Sequence, residues 1–245
     1  MIFDLIQDLI NGADIRDVLP GMVFTVIVVL FSLSFHEMSH GYIAWKMGDP
    51  TARNLGRLTL NPSKHLDPIG TVSMLLFGFG WAKPVPVVPR YFKNPRKGMA
   101  LTALAGPVSN IILSFLSLII LRIIIAFSAP AAVFVASNFS SQIIAGQSIG
   151  TIVVSLVAQL LTYSHLMNIY LAVFNLIPIP PLDGSRILFI FLPDKIYFGI
   201  MKYERIIMIA MLLLLWRGYL SAPLQFIANF LSLGMNSLIS FIPGL

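Results

Sequence analysis

Residues 18–45 read VLPGMVFTVIVVLFSLSFHEMSHGYIAW. A bilayer's hydrocarbon core is about 30 Å thick and takes about 20 helical residues to cross, so this run spans it with room to tilt. Inside the run stand His36, Glu37 and His40. Two histidines four apart lie one helical turn from each other on one face, the separation that lets both imidazoles bind one metal ion. The glutamate between them sits where it can take a proton from water activated by that metal. Ionisable groups at this depth cost several kcal/mol unless paired or solvated, so three within five residues point to chemistry rather than to a polar clasp between helices. Taking Lys46 as the cytoplasmic boundary, a rise of 1.5 Å per residue puts His36 about 15 Å deep and His40 about 9 Å deep. Water must then reach the pair through a cavity from the cytoplasmic side.

The rest of the chain agrees with a membrane setting. Of its 245 residues 57% are hydrophobic and 11% charged, with mean hydropathy +0.87. Soluble domains carry roughly 25% charged residues, so a soluble enzyme is excluded. The absence of cysteine removes thiolate nucleophiles, Cys-ligated zinc and a disulfide-stapled fold. Further apolar spans are expected at 98–128 and 149–176. A fourth apolar stretch starts at Ile206 and is interrupted by Arg217-Gly218 and Pro223, giving either one kinked span or two shorter segments. The net charge of +6 does not signal nucleic acid, because nine of the sixteen Lys and Arg fall within 46–97 and none within 127–147. Basic loops stay cytoplasmic. The expected topology is a multi-pass protein of the cell membrane with its N-terminus outside and loops 46–97 and 177–205 inside.

At the N-terminus Asp4, Asp8, Asp14 and Asp17 stand where a signal peptide would be basic. Ile2, Leu5, Ile6 and Leu9 share a helical face, so 1–17 is expected to lie as an amphipathic helix on the outer membrane surface. Within the 46–97 loop the apolar piece 69–81 is too short to span and fits a re-entrant or interfacial segment. The stretch AKPVPVVP at 82–89 follows, and its three prolines forbid helix and favour extended chain. It reads either as a strand edge offered to another peptide or as a stiffened loop.

A catalytic zinc with two histidines and a water lacks one protein ligand. Asp183, His165 and His65 are the candidates, and spacing leaves the choice open. Asp183 ends a proline-rich turn and alternatively caps a short helix. His165 reaches about the depth of His36 and alternatively bonds a neighbouring helix. His65 lies in the basic loop and reads as an interfacial residue. Asn110 in the second span and Asn168 in the third read either as hydrogen-bond donors to a substrate or as ties between helices.

Taken together the residues resemble the site-2 protease family of intramembrane zinc metalloproteases, in its compact prokaryotic form without a PDZ or nucleotide-sensing domain. The likeness rests on His36-Glu37-Met38-Ser39-His40, on Leu58-Thr59-Leu60-Asn61-Pro62 with His65-Leu66-Asp67-Pro68-Ile69-Gly70, on Gly106-Pro107-x-x-Asn110, and on Asn175-x-x-Pro178-x-Pro180-Pro181-Leu182-Asp183-Gly184. It covers about 19–192. The resemblance implies that Asp183 joins His36 and His40 as the third ligand of one zinc ion. It implies that Asn110 lies at the active site, contacting substrate or stabilising the transition state beside the catalytic Glu37; Asn168 is carried as a further candidate substrate contact. It also implies that Val85 and Val87 belong to a sheet that receives substrate as an added strand.

The expected fold is an all-α polytopic membrane protein: three core transmembrane helices and a C-terminal hydrophobic segment or segments. A small extended or β element and a re-entrant piece lie in the 46–97 loop. One domain is expected over 1–245, with the outer-face segment at 1–17, the catalytic core at 18–192 and the membrane segment at 193–245. The expected activity is regulated cleavage of transmembrane segments of other proteins near the cytoplasmic face, with the lipid bilayer as its medium. Two rival readings exist. A metal-ion transporter needs polar groups along several spans, whereas Glu37 is the only acidic residue within the first three. A non-catalytic peptide-binding protein with structural zinc needs four protein ligands, and only three good ones are present.

Overall fold

The structure is a computed structural model, and it describes residues 2–77, 80–139, 141 and 146–242. Helix α1 (Ile2–Ile10) precedes α2 (Ile15–Lys46), α3 (Thr51–Asn54), α4 (Pro68–Phe77), α5 (Pro95–Phe127) and α6 (Ala129–Ala136). Then come α7 (Ile149–Asn175), α8 (Asp183–Leu188), α9 (Asp194–Met201), α10 (Glu204–Trp216) and α11 (Ser221–Leu238). Helices α2, α5 and α7 are long and apolar enough to cross a membrane, and they begin within three residues of the positions expected at 18, 98 and 149.

Local chemistry sets where these helices begin. The Asp14 side chain accepts from the Arg16 amide to cap α2. Asn94 caps α5 through the Lys97 amide, with Pro95 in the first turn, where its missing N–H costs nothing. Ser148 caps α7 through the Thr151 amide. Helices α2, α5 and α7 pack against one another, α5 most extensively against α7.

The burial pattern is that of a bundle solvated by lipid. Ile27, Phe31, Ile112, Leu116, Ile120 and Val153 are exposed on the three long helices. Small and polar residues such as Ser32, Ser109, Ser114 and Ser155 are buried between them. Lipid tails provide no hydrophobic drive for helix association, so close approach of small residues and interhelical hydrogen bonds hold such a bundle together. An apolar cluster of Leu118, Ile169 and Val173 packs against Ala228, Met235 and Ile239 of the C-terminal region.

Of the two arrangements open for the C-terminal stretch, the chain adopts two segments, α10 and α11. They part at Arg217-Gly218, where Gly218 takes φ +75°. Neither is among the three helices long and apolar enough to cross. The end of α11 is fastened to α5 by Arg122, whose Nη1 donates to the carbonyls of Ile239 (3.1 Å) and Ile242 (3.0 Å).

Helix α4 begins one residue before the piece expected to be re-entrant and covers most of it. It meets α1, and its Gly70, Thr71 and Met74 line a small cavity together with Val29 and Leu33 of α2 and Leu171 of α7. Residues 82–88 are extended as expected, but no strand forms among the described residues and only an isolated Leu66–Ala82 bridge is present. The sheet implied by the resemblance is therefore not built. Pro84, Pro86 and Pro89 have no N–H to give a ladder, and most of the remaining amides are taken by neighbouring groups.

Candidate active site

Three elements converge near the C-terminal end of α2. One face of that helix presents His36 and His40, both buried, with Glu37 beside them. Helix α5 approaches through Gly106. A Cβ built there would lie 2.5 Å from His36 Cε1 and Nε2 and from His40 Cε1, so only glycine lets the helix come this close. After α7, the turn through 176–182 carries Asp183 back to the imidazoles. Gly184 permits that turn, since a Cβ would meet the carbonyl oxygens of Leu176 and Ile177 at 2.3 and 2.5 Å.

Among the described residues, His36, His40 and Asp183 form the one cluster of three potential metal ligands, with their ligand atoms within 4.8 Å of one another. Asp183 Oδ2 lies 3.1 Å from His36 Nε2 and 3.2 Å from His40 Nε2, and the two Nε2 atoms are 2.9 Å apart. His40 Nδ1 faces the Thr102 carbonyl at 2.7 Å and His36 Nδ1 faces Asn110 Oδ1 at 2.6 Å. Both partners only accept, so both Nδ1 atoms carry protons, and a ring that is neutral with its proton there turns its Nε2 lone pair inward. Two such nitrogens and a carboxylate oxygen at one point are stable only around positive charge, and a zinc ion satisfies all three at once. The donor set therefore fits zinc with one position left open. Asp183 does not cap α8 with its side chain; the cap residue is Leu182.

His165 and His65 lie outside the cluster. His165 is buried against Ser114 and Ser232, each with an oxygen 2.9 Å from a ring nitrogen. His65 Nε2 donates to the Thr59 carbonyl at 2.8 Å.

A cleft of about 360 Å³ opens over the cluster. Glu37, Val85, Val87, Phe174, Asp183 and Arg186 contribute to its wall. The Val85 amide donates to Glu37 Oε2 at 2.9 Å, tying the 82–89 strap to the glutamate. Two buried charged residues that sequence reasoning misses hold the rest of the strap. Asp49 Oδ2 accepts from the Val88 amide at 2.7 Å, and Arg57 donates to the carbonyls of Lys83 (2.6 Å) and Pro84 (3.3 Å). Asp49 carries a weak signal, an aspartate before proline where α2 ends; Arg57 carries none, because its partners are backbone atoms.

Asn110 and Asn168 do not line the cleft. Both are fully buried, and their amides face each other and His36 instead of open space. Every polar atom of the Asn110 amide has a partner inside the bundle.

The family model described as Peptidase family M50 matches residues 24–216. The chain belongs to peptidase family M50. Relatives of this M50 chain include "Putative zinc metalloprotease YwhC" of Bacillus subtilis (strain 168), 42% identical over 167 residues that make up 68% of each chain. "Putative zinc metalloprotease Rip2" of Mycolicibacterium smegmatis is 29% identical over 170 residues, 66% of this chain and 55% of the relative. Rip2 of Mycobacterium tuberculosis (strain H37Rv) is 27% identical over 180 residues, 71% of this chain and 60% of the relative. The chain thus spans less than two thirds of both mycobacterial proteins. No solved structure matches. Membership of M50 makes the chain a metallopeptidase with zinc as its cofactor, set among helices apolar enough to cross a membrane.

Proposed function

We propose that this M50 chain is an intramembrane endopeptidase that cleaves transmembrane segments of other membrane proteins near the cytoplasmic face. One observation carries the reading. The buried Nε2 atoms of His36 and His40 meet the Asp183 carboxylate beneath a cleft that Glu37 also lines, on a helix long and apolar enough to cross a membrane. His36, His40 and Asp183 would hold the zinc. Bound there, zinc supplies Lewis acidity, making water a nucleophile at neutral pH and polarising the scissile carbonyl. Glu37 takes the proton of the attacking water and returns it to the leaving amine. The concentration of Lys and Arg in 46–97 and 177–205 supports a cytoplasmic-facing cleft and an outside N-terminus.

A helical substrate hides its carbonyls in its own hydrogen bonds and must be held open for attack. Val85 and Val87 line the cleft on extended chain, and the Val87 amide has no partner among the described residues. A substrate strand laid along Val87 replaces the bonds it loses on unwinding. Val87→Pro removes that N–H and is expected to slow cleavage roughly tenfold, as one lost main-chain bond of about 1.4 kcal/mol implies. Zinc content is expected to stay unchanged; equal loss of zinc and cleavage defeats the docking idea.

The site itself is tested by metal analysis of purified protein in detergent. Wild type and His165→Ala are expected to hold one zinc per chain, whereas His36→Ala and Asp183→Ala lose it. Should Asp183→Ala keep its zinc and His165→Ala lose it, the ligand set is wrong.

A further inference from the structure

Behind His36, away from the cleft, a line of hydrogen bonds crosses all three long helices. His36 Nδ1 on α2 meets Asn110 Oδ1 on α5 at 2.6 Å. Asn110 Nδ2 donates to Asn168 Oδ1 on α7 at 2.8 Å and reaches the Ser32 carbonyl at 3.5 Å. Asn168 Nδ2 donates to the Ser164 carbonyl at 2.8 Å, one turn back on its own helix. Asn110 and Asn168 have no exposure at all.

The direction of every link follows from the last one. A backbone carbonyl only accepts, so Asn168 must turn its NH₂ toward Ser164 and its oxygen toward Asn110. Asn110 must then answer with its own NH₂, which leaves its oxygen facing His36. Against that oxygen His36 Nδ1 must be N–H, so the neutral ring bares Nε2 toward His40 and Asp183. A flipped amide anywhere along the line sets two acceptors or two donors against each other in a buried, low-dielectric place, at a cost of about 1–3 kcal/mol.

We infer that Asn168, acting through Asn110, is a positioning residue that fixes the tautomer and orientation of His36 for zinc. The inference rests on the zinc-site reading above and deepens it: the polar residues in the second and third spans belong to the metal centre as its outer support. Partners of this kind on metal-binding histidines typically change metal affinity by about 10–100-fold.

The test measures zinc affinity by competition with a chelating dye, on the full chain in detergent well below its unfolding midpoint, alongside the absorption spectrum of the Co²⁺-loaded protein. Asn168→Leu removes the directing amide at similar volume, and Asn168→Ala serves if leucine is not tolerated. Either is expected to weaken zinc about 10–100-fold and to alter the Co²⁺ spectrum. Ser164→Ala keeps the carbonyl that sets the direction, and Gln159→Leu removes a buried amide elsewhere on α7. Both are expected to bind zinc as wild type does, which separates positioning from general loosening of the helix. Zinc affinity within twofold of wild type in both Asn168 variants, with His36→Ala and Asp183→Ala zinc-free, overturns the relay and leaves the site standing. Retention of zinc in His36→Ala and Asp183→Ala overturns the site and the relay with it.

Discussion

Glu37→Gln is expected to keep one zinc ion per chain and to lose cleavage by roughly 10²–10⁴-fold, the usual share of a general base. Glutamine matches glutamate in size, and its carbonyl oxygen still accepts the Val85 amide now held by Oε2, so the strap stays in place. What disappears is the capacity to take a proton from water and hand it to the leaving amine. The check pairs zinc analysis with mass spectrometry of the products from a single-span test protein in the same detergent. A variant that retains more than a tenth of wild-type cleavage places the base elsewhere. One that loses its zinc instead makes Glu37 a ligand.

Gly106→Ala is expected to be as damaging to activity while acting on the opposite wall. Its new methyl carbon would sit 2.5 Å from ring atoms of both histidines. The rings cannot retreat, because His36 is held from behind by Asn110 and His40 by the Thr102 carbonyl. Either α5 moves away from α2 or the imidazoles leave their common point, and in both cases the three ligands no longer meet. Zinc affinity should fall by more than the roughly 10–100-fold that loss of an outer partner brings. Isothermal titration with zinc decides the matter, and binding equal to wild type means the helices have enough play to absorb a methyl group. Unfolding is expected to shift as well, by the roughly 1–3 kcal/mol typical of overpacking a buried contact.

The three spans were legible because an apolar run long enough to cross a bilayer is hard to keep dry in any other setting. His36, Glu37 and His40 were legible as a group because their spacing is a property of one helix. Asp183 lies 147 residues from His36 in the chain, and no local pattern connects them; only the resemblance singled it out over His165 and His65. The strap's links to Glu37, Asp49 and Arg57 were hidden for another reason, since half of each pair is a backbone atom with no side-chain signature. Arg122 was open to reading by depth alone: a cation within the second span demands acceptors, and the end of α11 provides them. For Asn110 and Asn168 the sequence marks two amides in apolar helices but cannot say whether they face a cleft or each other.

The line of amides at the level of His36 has a mechanical side. Sliding α7 by one residue shifts Asn168 by about 1.5 Å along the axis and swings it about 100° around it, which takes its oxygen off Asn110. Helices α2, α5 and α7 are thus keyed to one another like a lock with its bolt thrown, and they cannot rock past each other without breaking a dry hydrogen bond. Deuterium exchange is accordingly expected to be slowest in the turns around Ser32, Asn110 and Ser164 and faster in α4 and the strap. Motion that admits a substrate is accordingly expected in the parts carried on this frame and not in the frame itself.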